Sequence, residues 1–184
     1  MVSITTAANE KDLQGILDLQ RRNLKKNISP NEAISQGFLI AEFSPEYLRQ
    51  LHDMYPPVIA RLDDTVVGYA CIATAENRQG NPLIEDLFNQ IDQLHFDGIA
   101  LKDAPYAVIA QLCVDKSVRG QGLVQKLYGH FRALLENDYQ FGITDVACAN
   151  TRSLKAHKNT GFQVIHTIGY GGLEFDVVLW DWRR

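Results

Sequence analysis

The most constraining feature of the chain is an uncharged run, Tyr106 to Val114, that passes through Arg119-Gly120-Gln121-Gly122 into the amphipathic pattern Leu123, Leu127, Phe131, Leu134 and Leu135. An apolar strand of this kind needs cover on both faces, and the helix that follows supplies some of it. Two glycines separated by one residue allow positive φ and a close approach to a ligand. The first amides of the following helix have no intrahelical acceptor, and with the positive end of the helix dipole they suit an anion such as phosphate. Arg119 adds a formal charge beside the loop. A glycine turn can also open a helix and bind nothing, so this stretch alone leaves both readings open.

The chain has 184 residues, enough for one domain (1–184) with a single core. A formal charge of −4 argues against a nucleic-acid partner, which calls for a basic face. No run approaches the ~20 apolar residues of a membrane span. Met1-Val2-Ser3-Ile4-Thr5 lacks the order of a secretory signal, so the expected location is cytoplasmic. Cys71, Cys113 and Cys148 form no CxxC pair and are expected as reduced core residues; for Cys113, at the end of the strand, a nucleophile is the alternative. The five histidines show no ligand spacing, and no metal is expected.

Along the chain, Val2 to Ala7 reads as a strand, and Asn9 caps a helix carrying Leu13, Ile16 and Leu17 on one face. Lys25 to Gln36 reads as a loop and Gly37 to Phe43 as a short strand. Ser44-Pro45 starts a helix that Pro56-Pro57 ends. Val58 to Leu62 and Thr65 to Thr74 form a hairpin about Asp63-Asp64. Residues 76–105 make an insertion with its own helix from Pro82. Its acidic residues, among them Glu85, Asp86 and Asp92, read either as a solvated face or as a wall that attracts a cationic substrate. After the glycine loop and its helix come a strand from Ile143 to Ala149, a short helix closed by Gly161, and strands from Phe162 to Ile168 and Leu173 to Trp182.

A second constellation lies in Asn150 to Phe162. Ser153 and His157 are four apart and share a helix face, and Asn150 caps that helix at its start. Together the two segments resemble the GNAT superfamily of N-acetyltransferases. The pyrophosphate-binding pattern R/Q-x-x-G-x-G/A reads Arg119-Gly120-Gln121-Gly122-Leu123-Val124, with Val124 where the family usually has glycine or alanine. The later pattern N-x-x-S-x-x-x-Y-x-x-x-G-F is matched by Asn150, Ser153, Gly161 and Phe162, with His157 in the tyrosine position. The order of elements is similar across nearly the whole chain, and the 76–105 insertion is extra.

The resemblance implies an α/β (α+β) fold: a mixed, mostly antiparallel sheet with helices on both faces. It implies an enzyme, an acyltransferase moving acetyl from acetyl-CoA to a primary amine of a small molecule or peptide by direct attack. The alternative is a non-catalytic coenzyme A binding or sensing domain. The implied cofactor site comprises Leu112, Cys113, Val114, Arg119, Gly120, Gln121, Gly122, Leu123, Val124, Asn150, Ser153 and His157. The strand end at Leu112 to Val114 should splay from Ile143 to Ala149 and expose an amide, at Val114 or a neighbour, as an oxyanion hole. His157 stands where the family places the group that protonates the leaving thiolate. Gln111 cannot titrate, so Glu76 or a water chain is the expected base. The expected partners are the amine acceptor, with a homodimer admitted and neither nucleic acid nor membrane.

Overall fold

A computed structural model describes residues 1–183. Its centre is a seven-stranded sheet. In chain order the elements are β1 (Val2–Thr6), α1 (Glu10–Asn23), α2 (Pro30–Gln36), α3 (Pro45–Met54), β2 (Val58–Leu62), β3 (Thr65–Ala73) and α4 (Pro82–Ile91). There follow β4 (His95–Phe96), β5 (Ile99–Ala100), β6 (Tyr106–Val114), α5 (Leu123–Leu135), β7 (Phe141–Ala147), α6 (Thr151–Thr160), β8 (Gln163–Tyr170) and β9 (Leu173–Asp181). The sheet order is β1-β2-β3-β6-β7-β9-β8, and only β6 and β7 pair in parallel. β4 and β5 form a separate small hairpin inside the insertion.

Alternation along β3 builds two cores, one on each face of the sheet. Val66, Tyr69, Cys71 and Ala73 join one apolar cluster, with Leu48 and Leu51 of α3 and Ile84 and Phe88 of α4. Val67, Ala70 and Ile72 join the other, with Leu127, Tyr128 and Phe131 of α5. Period two in a doubly covered strand therefore places helices on both faces, as the apolar runs demand. No helix of the described residues is long and apolar enough to cross a membrane.

Two stretches between α1 and α3 differ from the sequence expectation. Lys25 to Gln36 is not a loop: a 3-10 turn at Lys25–Asn27 is followed by α2, whose cap Ser29 accepts a hydrogen bond from the Glu32 amide at 3.1 Å. Ser29-Pro30 is the same start signal as Ser44-Pro45, but α2 buries only Ala33, so it shows no apolar period. Residues 37–43, expected as a strand, belong to no sheet and make only an isolated bridge, Leu24 to Leu39. Buried amide side chains replace the missing ladder. Gln20 both donates to and accepts from the Phe43 backbone, at 3.2 and 2.9 Å, and Gln111 donates to the Ala41 carbonyl at 2.7 Å. Asn81 donates to Glu42 at 3.3 Å.

Candidate active site

The site begins where β6 and β7 part. They pair only from Tyr106 with Phe141 to Val108 with Ile143; one residue on, the Thr144 hydroxyl donates to the Ile109 carbonyl at 2.8 Å. Ala110 is an extra residue opposite β3, since Cys71 pairs with Gln111 and Ile72 with Ile109, and such a bulge bends its strand. Beyond it β6 stays on β3, with the Asp115 amide donating to Val67 at 2.8 Å. Antiparallel pairs alternate in the direction of their backbone groups, so Gln111 and Cys113 turn theirs to β3. Leu112 and Val114 turn theirs into the gap.

Two cavities meet there. The first, about 500 Å³, runs from the glycine loop along the end of β6 to α6. Gly120 and Gly122 have φ of +81° and +70°, and Gly122 is the left-handed cap of α5. The amides of Leu123, Val124 and Gln125 form the first turn of α5 and have no intrahelical acceptor; Lys126 is the first to bond back, to Gly122 at 3.2 Å. All three residues line this cavity, as do Arg152 and Lys155 from α6. Backbone donors at one side and two cations at the other are groups that suit a phosphorylated ligand.

The second cavity, about 130 Å³, lies under residues 38–41, between α4 and the β8–β9 hairpin. Its walls are mainly apolar, among them Ile40, Leu83, Leu87 and Phe175, and carry two carboxylates, Asp86 and Asp145. Phe38, Leu39, Leu112, Asn150 and Ser153 line both cavities and so mark their junction. Loss of solvation, with a smaller contribution from the charge of Asp86, pushes the Asp145 carboxyl up to about 6.

Residues 29–162 match the acetyltransferase (GNAT) family. The chain belongs to that family. It is therefore an acyltransferase, and its fold is the GNAT fold. No curated protein sequence matches the chain. Among solved structures it is similar to the NatC complex bound to Gag peptide and CoA, at 12% identity over 98% of each chain with TM-score 0.67. A second is yncA, described as an acetyltransferase, from Salmonella typhimurium with its cofactor acetyl-CoA: 15% identity, 100% of this chain, 95% of that chain, TM-score 0.65. A third is the ribosomal-protein-S18-alanine N-acetyltransferase from Escherichia coli, at 13% identity, 100% of this chain, 96% of that chain and TM-score 0.63.

Within this GNAT fold, Leu112, Cys113, Val114, Arg119, Gly120, Gly122, Leu123, Val124, Asn150 and Ser153 all line the first cavity. Gln121 is exposed and outside that lining. Arg119, expected at the cofactor, also bonds within the protein. Its guanidinium donates to the Val114 carbonyl at 2.8 Å, to the Gln36 carbonyl at 2.7 Å and to Asn23 at 3.0 Å, tying α1 and α2 to the end of β6. Cys113 is buried, which pushes its thiol up to about 12 and leaves it unreactive.

Asn150 caps α6 by accepting from the Ser153 amide at 3.3 Å, and a Cβ on Gly37 (φ +81°) would stand 2.7 Å from its Oδ1, so only glycine lets residues 37–38 pass so close. His157 lines the second cavity but is 3% exposed. Its Nδ1 donates to the Ser153 carbonyl at 2.8 Å, which leaves Nε2 to accept from the Tyr128 hydroxyl at 2.7 Å. Burial lowers its pKa to about 4, so the ring is neutral at neutral pH. Glu76 sits on a 3-10 turn after β3 and lines neither cavity; a hydrogen bond from Thr74 holds its carboxyl below the usual range. Gln111 is occupied as well, accepting from Tyr69 at 2.6 Å. Asp145 was missed in the sequence because it is a lone carboxylate in a strand, without a motif. Among the described residues no group of three or more His, Cys, Asp or Glu could hold a metal ion.

Proposed function

We propose that the protein is an N-acetyltransferase that moves acetyl from acetyl-CoA to the amine of a small molecule. The observation that carries this reading is the junction: a phosphate cradle opens, through the gap where β6 leaves β7 near Leu112, into a cavity that holds a titratable carboxylate. The residues fit the cofactor. The amides of Leu123, Val124 and Gln125, with Arg152 and Lys155, suit its phosphates, and the Leu112–Val114 edge suits an extended amide-bearing arm. Bound there, acetyl-CoA supplies an activated acyl carbon, whose C–S bond is exchanged for a C–N bond while the amine loses two protons, one retained by the departing thiol.

Leu112 lines both cavities and turns its backbone to the gap, so its amide is the donor proposed to stabilise the developing oxyanion. Val114, which lines only the cofactor cavity, is the next along the same edge. Asp145 is the proposed base. An amine enters protonated, and a carboxylate near 6 is ionised at neutral pH yet basic enough to take its proton and pass it to solvent. His157, neutral and bonded through both nitrogens, positions Ser153 and Tyr128 rather than donating a proton. Asp145 in this role supplies the titratable group that Gln111 and the neutral His157 do not, which supports an enzyme over the alternative coenzyme A sensing domain.

Calorimetric titration with acetyl-CoA, followed by release of free thiol across a panel of amines, tests the reading. Binding together with amine-dependent thiol release is the expected result. No heat at millimolar acetyl-CoA overturns the cofactor assignment, and binding without transfer to any amine overturns the catalytic one.

A further inference from the structure

The acidic insertion resolves into carboxylates with partners and, among the described residues, two without: Asp103, which is exposed, and Asp86. Asp92 accepts from Arg78 at 3.0 Å and from the Tyr106 hydroxyl at 2.7 Å, Asp97 accepts from Arg183 at 3.0 Å, and Glu85 accepts from the Gly80 amide at 2.8 Å. Asp86 is the insertion residue that brings a carboxylate to the second cavity. Among the described residues neither Asp86 nor Asp145 has a side-chain hydrogen bond or an ion pair to another residue, and no lysine or arginine lines the cavity they share. Two carboxylates thus line one small cavity, among mainly apolar residues, without a lysine or arginine beside them.

We infer that the acceptor is a short diamine, one amine reacting beside Asp145 while the second, protonated, pairs with Asp86. This rests on the acetyl-transfer reading above. A monoamine neutralises one carboxylate and leaves the other uncompensated among apolar walls. An amino acid brings a third negative group, for which the lining offers no cation. The apolar residues between, such as Leu83, Leu87 and Phe175, suit a methylene spacer. A polypeptide needs an open track, whereas residues 38–41, α4 and the β8–β9 hairpin wall this cavity on three sides.

The test compares kcat/KM for 1,5-diaminopentane, pentylamine and a lysine-containing dipeptide amide, with calorimetry of diaminopentane on the CoA-saturated protein. A diamine preference of about tenfold or more is expected, of the order of one partly desolvated ion pair. Asp86→Asn should bring the diamine-to-monoamine ratio close to one and weaken diamine binding to match, and Asp86→Glu should keep the preference. Equal use of diamine and monoamine, an unchanged ratio in Asp86→Asn, or better use of the dipeptide overturns the inference. If acetyl-CoA binds but nothing is acetylated, it is the transfer reading that fails; the diamine site then stands if diaminopentane binding weakens in Asp86→Asn and falls if it does not.

Discussion

The two cavities meet at Leu112, yet they are built by different means. The proposed cofactor cavity has a backbone side that is contiguous in sequence from Leu112 to Gln125: two left-handed glycines, the free amides of one helix turn and the edge of one strand. Apart from Asn150, Ser153 and His157 of the α6 motif, the proposed acceptor cavity is drawn from scattered residues within 38–41, 83–87, 110–112, 144–147 and 168–175. Backbone geometry needs particular residues at particular spacing and so leaves a motif. A wall of side chains needs only shape and charge, and leaves none.

The sharpest way to break this contrast is at Gly122. A Cβ there would approach no atom closer than 3.9 Å, so the glycine answers to its φ of +70°, not to packing within the protein. Gly122→Val should therefore lower acetyl-CoA affinity by about 100-fold or more while the protein stays folded, since a β-branched residue at positive φ costs only about 1–3 kcal/mol. Calorimetry and a melting curve on one sample separate the two effects. Retained affinity would mean that the loop does not hold the phosphates.

The next test lies on the side-chain wall. Asp145→Asn should lower turnover at pH 7 by about 100-fold or more, the usual scale for a general base, and remove an inflection near 6 from the rate profile. It should also raise the melting temperature at pH 8. The native carboxyl titrates higher than its unfolded counterpart, so the stability it confers is present at low pH and lost as pH rises through about 6. A variant no more stable than the parent at pH 8 would show that Asp145 is solvated after all.

His157 has the opposite sign. Its native pKa of about 4 lies below the unfolded value, so the protein is fully stable above ~6.5 and loses roughly 3 kcal/mol as pH falls toward 4. His157→Phe should cost about 1–3 kcal/mol at pH 7, because the Tyr128 hydroxyl and the Ser153 carbonyl lose their partner, and should flatten the acid slope. Denaturant titration at pH 7 and pH 4.5 reads both. A variant whose turnover profile lost the alkaline limb, the fall in rate as a proton donor is deprotonated, would instead restore the proton-donor role that the family position suggested.

Legibility followed the same division. The strand, the glycine loop, the capped helix α6 and the hairpins were readable because period two, cap residues and turn glycines act locally. Residues 37–43 were not: their backbone is satisfied by Gln20, Asn81 and Gln111, three amides far apart in sequence whose pairing only the fold reveals. Glu76 stands at a strand end, but the chain turns there and it lines neither cavity. Asp145 and Asp86 become a pair only after β7 and α4 close on the same space.

The smallest expected effect concerns the charged side chains of the proposed cofactor cavity. Arg119, the motif cation, spends its donors on Val114, Gln36 and Asn23, so charge toward phosphate falls to Arg152 and Lys155, both exposed on α6. Exposed charges act through a screened field, so Arg152→Ala and Lys155→Ala should each weaken acetyl-CoA by only about three- to tenfold, with the difference fading in high salt. Arg119→Ala should show the reverse pattern: a loss of stability of about 2–4 kcal/mol that salt leaves largely intact, because it removes several partly buried hydrogen bonds at once. If instead Arg119→Ala produced the salt-sensitive loss of affinity and Lys155→Ala did nothing, the motif arginine would be the phosphate ligand and its bonds to α1 and α2 a resting arrangement that the cofactor breaks.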